Sequence, residues 1–467
     1  MEQYSDIGLI GLAVMGQNLV LNINDNGYSV SVYNRTHEKT KSFIKNNSDR
    51  KTIYGFDDVS SFIDSLKSPK LIIMMIKSGK PVDDLIEELI PLLKGNDILI
   101  DGGNSYYKDT ERREIYSSTF GIQYLGVGIS GGEEGARFGP SIMPGGNIGA
   151  WNIVKKILFD ISAKIEEEPC CAFIGRGGSG HYVKMVHNGI EYGDMQLISE
   201  IYNIMKVGMN IPNPEMSKIF NNWNNGKLNS YLIEITSKIL NHKDENGSFV
   251  VDSILDKAEQ KGTGRWTAIS SLEFGIPLNL ITESVYQRSI SSLKSLRTNL
   301  SQLYTEDTGK LEQNDDIIIH LQNALYVSKI ISYSQGFHLL REASENYKWN
   351  LKFDEIASIW RGGCIIRSGF LSKISDSYKE NPELVHLFSS SKFYNEILNN
   401  IESLRLIVTT AINLRIPVPG LCSALMYFES IKSKKLPANL IQAQRDFFGA
   451  HGYQDLSTLI YTHTKWY

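Results

Sequence analysis

The segment DIGLIGLAVMGQNLVLNI, residues 6–23, decides the fold. It begins as a strand-like apolar run, passes through a glycine-containing turn, and continues as an amphipathic helix. The turn carries Gly11-x-Ala13-x-x-Gly16, which is the dinucleotide fingerprint with alanine in place of its middle glycine. Gly11 permits a tight turn, Gly16 permits close helix–strand packing, and the helix N-terminus offers N–H groups to a pyrophosphate. The segment therefore predicts a nucleotide site, with a tight βα turn that binds nothing as the alternative.

Strand-like and helix-like segments alternate from this point to about residue 175. The strand-like segments are DIGLIGLA, YSVSVYN, KLIIMMI, DILIDGG and IQYLGVG, with amphipathic stretches such as 81–93 and 106–119 between them. This alternation is typical of βαβ units, and the all-apolar run LIIMMI suits a sheet that is covered on both faces. We therefore predict an α/β Rossmann-like, doubly wound domain over residues 1–177.

The glycine-rich segment GRGGSG, residues 175–180, ends the alternation. Beyond it the apolar residues recur at helical spacing in segments 181–208, 252–260, 280–296, 314–345 and 401–415. We predict a large all-α domain over residues 178–435 and a C-terminal tail over residues 436–467. Because the tail mixes aromatic and charged residues after a proline, it is either a docked arm or a disordered end.

Composition limits the classes of function. The 467 residues are 42% hydrophobic and 21% charged, which suits a globular chain of two or three domains. A net charge of −4 gives no broad basic field, so nucleic acid is not an expected partner. Neither a signal peptide nor a membrane span is predicted. The four cysteines form no CxxC and the histidines no HxxxH, so we predict a cytoplasmic location and no metal site.

The end of the second predicted strand indicates which dinucleotide binds. An NAD enzyme normally has Asp or Glu there, whereas this chain has Asn34, Arg35 and Thr36. An arginine between small polar residues suits a 2′-phosphate, so we predict NADP, although an exposed turn arginine would look the same. Ligands bind at the carboxyl ends of parallel strands, so MMIKSG and DGGNS add further contacts. The predicted cofactor set is Gly11, Leu12, Ala13, Val14, Met15, Gly16, Asn34, Arg35, Thr36, Ile76, Lys77 and Asn104.

The segment HYVKMVHNGIEYGDMQ, residues 181–196, carries a polar stripe on an apolar helix. At about 100° per residue, Lys184 and Glu191 share one face with His187 and Asn188 beside them. The opposite face is apolar and consists of Val183, Val186, Ile190, Leu197 and Ile201. The helix also contains Gly189 and Gly193, each of which costs about 1 kcal/mol against alanine, so we expect close packing or ligand approach there. Solvent exposure with a chance spacing is the alternative explanation of the stripe.

A longer set of motifs resembles one enzyme family. The most specific is GISGGEEGARFGPSIMPGG, residues 128–146, accompanied by IGLAVMGQNL, IDGGNS, KMVHNGIEYGDMQ, KGTGRWT, QRSI and RDFFGAH. In this order they resemble the 6-phosphogluconate dehydrogenases from residue 8 to residue 453. Two departures lie in the tail, where Phe447 and Gly452 stand at positions usually held by tyrosine and threonine.

The resemblance implies an activity and a set of residue roles. The activity is oxidative decarboxylation of 6-phosphogluconate to ribulose 5-phosphate and CO2 with reduction of NADP. The implied assembly is a homodimer in which each C-terminal tail reaches into the partner's active site. Lys184 becomes the general base and Glu191 the general acid. The implied substrate contacts are Asn104, Ser130, Gly131, Gly132, His187, Asn188, Tyr192, Lys261, Arg288, Arg445 and His451.

The chemistry of such a reaction requires a base and an acid of this kind. A lysine accepts the hydroxyl proton only if burial or a neighbouring cation lowers its pKa, and Lys261 would be such a neighbour if it lies close. Because the sequence shows no metal-ligand cluster, protonated Lys184 would stabilise the oxyanion formed when CO2 leaves. Glu191 would then protonate the enediol.

Two alternative functions remain open at the level of sequence. Another 3-hydroxyacid dehydrogenase would share the Rossmann-plus-helical layout and the lysine base, although Lys261, Arg288 and Arg445 favour a phosphorylated substrate. A catalytically inactive nucleotide sensor or scaffold would share only the nucleotide motif, and the intact Lys184 and Glu191 argue against it.

Overall fold

The computed structural model describes residues 4–305, 307–312 and 315–467. Within these residues, one sheet is built from β1 Ile7–Ile10, β2 Val30–Tyr33, β3 Ile53–Phe56, β4 Leu71–Met74, β5 Ile98–Asp101, β6 Gln123–Ser130 and β7 Ser141–Gly146. The strand order is β3-β2-β1-β4-β5-β6-β7. Strands β1 to β6 are parallel, and β7 runs antiparallel to β6. The predicted Rossmann-like, doubly wound fold is confirmed.

Helices cover both faces of this sheet. They are α1 Val14–Asp25, α2 His37–Asn46, α3 Val59–Asp64, α4 Lys80–Leu89, α5 Tyr107–Ser118, α6 Gly132–Phe138 and α7 Ile148–Ile161. Alternate residues of β4 enter different apolar clusters, with Leu71 and Ile73 in one and Ile72 and Met74 in the other. The apolar run LIIMMI is therefore buried on both sides, as its composition predicts.

Strands β3 and β7 are not apparent from the sequence. The β7 segment SIMPGG contains a proline and two glycines, which are depleted in strands, so its composition does not indicate one. It is held instead by tertiary pairing, with Val127 opposite Pro144 and Ile129 opposite Ile142. A short hairpin follows α7 and consists of β8 Lys164–Ile165 and β9 Glu168–Pro169.

The rest of the described chain is mainly helical, as predicted. Its helices are α8 Ser179–Asn203, α9 Asn213–Asn224, α10 Tyr231–Asn241, α11 Val250–Ser253, α12 Thr263–Phe274, α13 Asn279–Ser292, α14 Lys294–Leu303, α15 Asp315–Tyr347, α16 Phe353–Ile359, α17 Leu371–Glu380, α18 Ser391–Asn413, α19 Pro419–Ile431 and α20 Ala438–Gly449. The long helix α15 packs against both α8 and α18, so α8 has helices on one side and the sheet on the other. No helix within the described ranges is both long and apolar enough to cross a membrane.

Some predicted boundaries differ from the structure. The predicted helix over 252–260 is wrong, because α11 ends at Ser253 and residues 254–261 are not helical. Ile254 and Leu255 are 63% and 60% exposed, so this segment has no apolar face to bury against a neighbour. The predicted helix 280–296 is interrupted between α13 and α14. Residue 314 of the predicted helix 314–345, and residues 1–3 of the predicted first domain, lie outside the described residues.

The tail has a defined fold. Helix α20 leads into a hairpin of β10 Tyr453–Gln454 and β11 Tyr461–Thr462. The buried Asp446 carboxylate accepts hydrogen bonds from the backbone N–H of Gly452 at 2.8 Å and from the Trp466 indole at 2.8 Å. Gly452 has φ +70°, and a Cβ there would lie 2.5 Å from the Tyr461 ring, so this hairpin leaves no room for a threonine.

Candidate active site

The turn after β1 is tightly packed and leads into an uncapped helix N-terminus. Gly11 has φ +106°, and a Cβ there would lie 2.4 Å from the Met75 carbonyl oxygen. A Cβ on Gly16 would lie 1.9 Å from the Gly11 carbonyl oxygen, so both fingerprint glycines are required by packing. No side chain caps the N-terminus of α1. The turn residues Leu12, Ala13, Val14 and Met15 therefore lead into a helix end whose N–H groups and dipole favour an anion.

Four turns, those after β1, β2, β4 and β5, meet at the carboxyl edge of the sheet. The order of strands reverses between β1 and β4, and ligands bind outside such a switch point. The Leu12 N–H donates to Asn34 Oδ1 at 2.9 Å, and the Gly102 N–H donates to the Met74 carbonyl at 3.1 Å, so these turns are tied together. On the turns after β2, β4 and β5, the exposed predicted cofactor positions are Arg35, Thr36, Lys77 and Asn104, and Ile76 is half-buried beside them.

Helix α8 lies directly against strands β6 and β7. A Cβ on Gly128 of β6 would lie 2.4 Å from Lys184 Cβ, so glycine at this position allows the helix to approach the sheet. The apolar residues Val183, Val186, Ile190, Leu197 and Ile201 are fully buried in the helical core, as predicted. The polar stripe therefore faces the region between the sheet and the helical part of the chain.

The amine of Lys184 is buried within a polar cluster. Its side chain is 5% exposed, and Nζ donates to Ser130 Oγ at 3.0 Å and to Asn188 Oδ1 at 2.8 Å. His187 Nδ1 lies 3.3 Å from the amine, and His187 Nε2 lies 3.2 Å from Ser130 Oγ. The carboxylate of Glu191 lies 4.0 Å from His187 Nδ1, so amine and carboxylate flank one imidazole. Solvent exposure is thus excluded as the explanation of this part of the stripe.

Burial sets the protonation of these groups. It lowers the pKa of Lys184, although the Glu191 carboxylate opposes the shift. Burial and then the Lys184 cation hold the pKa of His187 well below its usual range, so this imidazole is neutral. Burial raises the pKa of Glu191, with Lys184 and Arg288 acting in the opposite direction. The amine is therefore shifted toward a proton acceptor and the carboxyl toward a proton donor, which is the division of roles that acid–base chemistry requires.

The loop after β6 meets this cluster from the sheet side. Ser130 is buried and contributes its hydroxyl, as described above. Gly131 and Gly132 follow with φ +117° and +63°, conformations that favour glycine. A Cβ on Gly131 would lie 2.6 Å from the Gly363 carbonyl oxygen, so close packing alone already requires glycine at this position.

Tyr192 and Arg288 form the next part of the wall beyond Glu191. The guanidinium carbon of Arg288 lies 3.6 Å from the centroid of the Tyr192 ring. Arg288 also donates to the Glu259 carbonyl at 2.9 Å, which fixes its position over the face of the ring. The two predicted substrate residues are thus brought together, on the side of α8 that bears Glu191.

The helix glycines are explained by packing. A Cβ on Gly189 would lie 2.7 Å from Thr267 Cγ2, and one on Gly193 would lie 2.5 Å from Ser332 Oγ. Helices α12 and α15 therefore occupy the space that these glycines leave, so of the two expectations close packing is the one observed.

The contacts of three further predicted substrate residues do not include Lys184. Lys261 is exposed, and the pKa of Lys184 is lowered by burial, with no contribution from Lys261. Arg445 donates to Gln442 at 3.1 Å, and the His451 ring packs on Phe448 at 5.9 Å, so their contacts lie within the tail.

Three residues of the cluster were not identified from sequence. Thr263 Oγ1 accepts from Asn188 Nδ2 at 3.2 Å and so orients the amide that holds Lys184. The Trp360 ring stands edge-on to His187 with centroids 5.5 Å apart. Cys364 is buried near both titrating groups, and burial raises the pKa of its thiol to about 12. Spacing gives no signal for them, because they lie on α12 and in the segment after α16, far along the chain. Among the described residues, no group of three or more His, Cys, Asp or Glu side chains is arranged to hold a metal ion.

Two family models match consecutive parts of the chain. Residues 6–175 match the NAD binding domain of 6-phosphogluconate dehydrogenase, and residues 180–466 match the 6-phosphogluconate dehydrogenase C-terminal domain. The chain belongs to the 6-phosphogluconate dehydrogenase family. The resemblance found in its motifs is therefore confirmed, and the chain is an enzyme of this family.

Full-length relatives agree with the family models. The decarboxylating, NADP(+)-dependent 6-phosphogluconate dehydrogenase of Bacillus subtilis is 51% identical over 463 residues, covering 98% of both chains. The decarboxylating 6-phosphogluconate dehydrogenase of Escherichia coli K12 is 49% identical over 462 residues, covering 98% of both chains. The solved structure of Plasmodium falciparum 6-phosphogluconate dehydrogenase, studied as apoenzyme and with NADP+ or 6-phosphogluconate, matches with a TM-score of 0.95. It is 47% identical, and the match covers 99% of this chain and 100% of that one.

Proposed function

We propose that the chain catalyses oxidative decarboxylation of 6-phosphogluconate to ribulose 5-phosphate and CO2 with NADP as oxidant, in the oxidative pentose phosphate pathway, with Lys184 as general base and Glu191 as general acid. The observation that carries the residue roles is the buried Lys184 amine, held by Ser130 and Asn188 and shifted toward its neutral form. Family membership and the NADP-dependent decarboxylating relatives support the reaction. The cofactor is NADP, which accepts a hydride when bound.

The nucleotide turn fits this cofactor. The uncapped N-terminus of α1 and the Gly11–Gly16 contact provide the concave backbone that a pyrophosphate needs. Asn34 is occupied in holding Leu12, so Arg35 and Thr36 are the groups beside it that remain exposed toward a 2′-phosphate. Lys77 and Asn104 stand on the neighbouring turns, where cofactor and substrate would meet.

Lys184 acts in two steps. In the first, its neutral amine takes the proton of the C3 hydroxyl while the C3 hydrogen leaves as hydride, which oxidises C3 to a ketone. In the second, the C1–C2 bond of the 3-keto acid breaks and releases CO2, and its electron pair forms an enediolate. The ammonium produced in the first step is already beside the developing oxyanion, so it stabilises this charge. This positive group lets us propose that the reaction needs no metal ion.

Glu191 completes the reaction. The carbon that carried CO2 must receive a proton to become C1 of ribulose 5-phosphate. Burial raises the pKa of the Glu191 carboxyl and so favours its protonated form. Glu191 contacts His187, which also contacts Lys184, so the two groups lie on the same side of the site. His187 is neutral, so we assign it, with Asn188 and Ser130, to binding and orientation rather than to proton transfer.

The proposed reaction is tested by its products. Purified protein with NADP and 6-phosphogluconate, in the presence of EDTA, should form NADPH, CO2 and ribulose 5-phosphate in equal amounts. A small unphosphorylated 3-hydroxy acid serves as the comparison substrate. Turnover of that acid alone would establish another 3-hydroxyacid dehydrogenase, and loss of activity in EDTA with recovery on adding Mg²⁺ or Mn²⁺ would refute metal independence.

Arg35→Ala should discriminate between the two dinucleotides. The change removes the proposed partner of the 2′-phosphate, so the Kd for NADP should rise by about 10- to 100-fold, as expected for a hydrogen bond to a charged group. The Kd for NAD should change by less than about threefold, because NAD has no 2′-phosphate for Arg35 to contact. Fluorescence titration measures both. Lys41→Ala, which removes a cation of 66% exposure on the adjacent helix α2, is the charge-matched control. Equal weakening of NADP and NAD would reject the role of Arg35.

Glu191→Gln should separate binding from proton donation. The amide keeps the shape of the side chain but cannot supply the proton, so kcat should fall by about 10²- to 10⁴-fold with no rise in KM for 6-phosphogluconate. Steady-state NADPH formation measures both constants. Glu283→Gln on α13, where Glu283 accepts from Gln287, is a matched carboxylate-to-amide control. A kcat equal to that of the control would remove Glu191 from the mechanism.

We propose that the active form is a homodimer whose tails, bearing Arg445 and His451, complete the active site of the partner. The exposed apolar side chains of α20 support this proposal, with Leu440, Ile441, Phe447 and Phe448 each 53–73% exposed. A compact element with this much exposed apolar surface is expected to dock on a protein surface. The contacts of Arg445 and His451 in their own chain lie within the tail. Docking of the tail on the partner subunit would bring these two basic side chains to a substrate phosphate.

The domain division and location follow the same proposal. Residues 1–177 would bind the dinucleotide, residues 178–435 would supply the substrate wall and dimer contacts, and residues 436–467 would form the exchanged tail. The cysteines Cys170, Cys171, Cys364 and Cys422 are free thiols, which is compatible with the reducing cytoplasm that we propose as the location.

A further inference from the structure

The side chain of Arg113 is buried beneath the turns that follow β4 and β5. It projects from α5, and its side chain is 1% exposed. On one side, Nε donates to Asp83 Oδ1 at 2.8 Å, and Nη2 donates to the Gly79 carbonyl at 3.0 Å. On the other side, Nη1 donates to Ser105 Oγ at 3.3 Å and lies 3.5 Å from Asp101 Oδ2. One guanidinium thus joins two separate turns.

Each of these turns carries a residue of the proposed site. Gly79 lies two positions after Lys77, at the start of α4, and Asp83 is in the first turn of that helix. Asn104 lies between Asp101 and Ser105, and it is exposed at the tip of its turn. Arg113 therefore holds the base of both turns while Lys77 and Asn104 project from them.

The Asp101 carboxylate adds hydrogen bonds that hold the turn after β5. Its Oδ1 accepts the Gly103 N–H at 3.1 Å, and its Oδ2 accepts from Ser105 Oγ at 2.6 Å and from Tyr124 OH at 3.0 Å. Asp101 therefore bonds to both sides of Asn104, and the Asp101 carboxylate itself lies beside the Arg113 guanidinium. The two turns also approach each other closely, because a Cβ on Gly103 would lie 3.1 Å from the Ile76 carbonyl oxygen.

A buried ion pair of this kind is weak evidence for a role in stability, since well-packed apolar residues often replace such pairs without loss. What an apolar side chain cannot do is hold two backbone turns at a fixed separation through a planar fork of donors. Hydride transfer depends on that separation, because a misplacement of about 1 Å costs about 10²-fold in rate.

We propose that Arg113 is a positioning residue for the reaction: by joining the Asp83–Gly79 side to the Asp101–Ser105 side, it fixes the placement of Lys77 relative to Asn104, and so of the nicotinamide relative to the substrate. The inference rests on the proposed function of these two turns. Arg113 itself touches neither substrate nor cofactor, and it acts through Lys77 and Asn104.

The neighbouring Arg112 provides a matched control. It is also on α5 and donates to the same Asp83 Oδ1 at 2.8 Å, but it is 55% exposed and is not bonded to Ser105 or Asp101. We expect Arg113→Met to lower kcat/KM for 6-phosphogluconate by about 10²-fold, mainly through kcat, while Arg112→Met stays within about threefold of wild type. The Kd for NADP should remain within about fivefold in both, because Arg35 and the pyrophosphate turn are untouched.

Two further variants test the same role of Arg113 if Arg113→Met does not fold. Arg113→Lys keeps the charge but presents a single ammonium, so it should restore activity only in part, to about a tenth of wild type. Asp83→Asn, at a partly exposed position, weakens the bond between Arg113 and the turn after β4. This change should also lower kcat more than it raises KM. Circular dichroism and thermal melting identify any variant that does not fold.

Coupling to Asn104 decides the proposal. If Arg113 acts through the turn of Asn104, Arg113→Met should cost far less in an Asn104→Ala background than in wild type, since the positioned group is already gone. Full additivity of the two changes, or folded Arg113→Met and Asp83→Asn enzymes with the kinetics of Arg112→Met, would overturn the inference. Failure of the proposed function would show differently, as absence of NADPH formation by the wild-type enzyme.

Discussion

Replacing Lys184 with methionine is expected to lower turnover of 6-phosphogluconate by about 10⁴-fold, the upper end of the range for removal of a general acid–base group. The reason is that this amine takes the hydroxyl proton and then, as an ammonium, stabilises the oxyanion that decarboxylation produces. Methionine fills a similar volume without either property. NADP binding should stay within a few-fold, because the nucleotide turn lies after β1, whereas the Lys184 amine contacts Ser130, His187 and Asn188.

Lys184→Arg is the informative companion to this variant. Arginine retains the positive charge but is not deprotonated in proteins, so it can stabilise an oxyanion and cannot act as a base. Both variants should therefore be inactive by steady-state NADPH formation, with NADP affinity preserved by fluorescence titration. An active Lys184→Arg enzyme would assign the lysine a purely electrostatic role, and a loss of NADP binding would place it in the cofactor site instead.

Removing residues 437–467 is expected to abolish activity and to weaken the dimer. The truncation takes away α20, the hairpin and both Arg445 and His451, which we propose to meet the substrate phosphate in the partner subunit. Losing buried hydrogen bonds to a charged group costs about 1.5 to 3 kcal/mol each, so two together lower substrate affinity by about 10²-fold or more. Kinetics and sedimentation measure the two effects, and a fully active truncated chain would show that the tail is dispensable.

Mixed dimers distinguish exchange of the tail from folding back onto its own subunit. One chain carries Lys184→Ala, and the other carries Arg445→Ala with His451→Ala. If tails are exchanged, each mixed dimer has one complete site, so co-expression in equal amounts should recover about a quarter of wild-type activity. If each tail serves its own subunit, no dimer has a complete site, and the mixture should be no more active than the two homodimers.

Local sequence patterns were sufficient to predict the strand, turn and helix at the proposed nucleotide site. Strand β1, the Gly11–Gly16 turn and helix α1 follow from apolar runs and glycine positions that lie close together in sequence. The polar stripe of α8 follows in the same way, since helical spacing puts Lys184, His187 and Glu191 together whatever surrounds the helix. Strand β7 was missed because its residues are poor strand formers and pair through tertiary contacts.

Contacts between distant segments could not be read from these patterns. Thr263, which holds Asn188, and Trp360, which packs on His187, lie in other segments of the chain and carry no spacing signal. Spacing also gave no information on what lowers the pKa of Lys184: burial between α8 and the sheet is responsible, and Lys261 is exposed. The predicted helix over 252–260 failed for a related reason, because propensity alone does not fold a segment that buries no face.

A rapid-mixing experiment tests the division of labour between Lys184 and Glu191 most directly. Excess enzyme is mixed with 6-phosphogluconate and NADP, and NADPH and CO2 are followed through a single turnover. Glu191→Gln should give a burst of NADPH and CO2 at a rate near that of wild type, followed by slow release of ribulose 5-phosphate, while Lys184→Met should give no burst. A burst from Lys184→Met, or none from a Glu191→Gln enzyme that still binds both ligands, would contradict the assignment of base and acid.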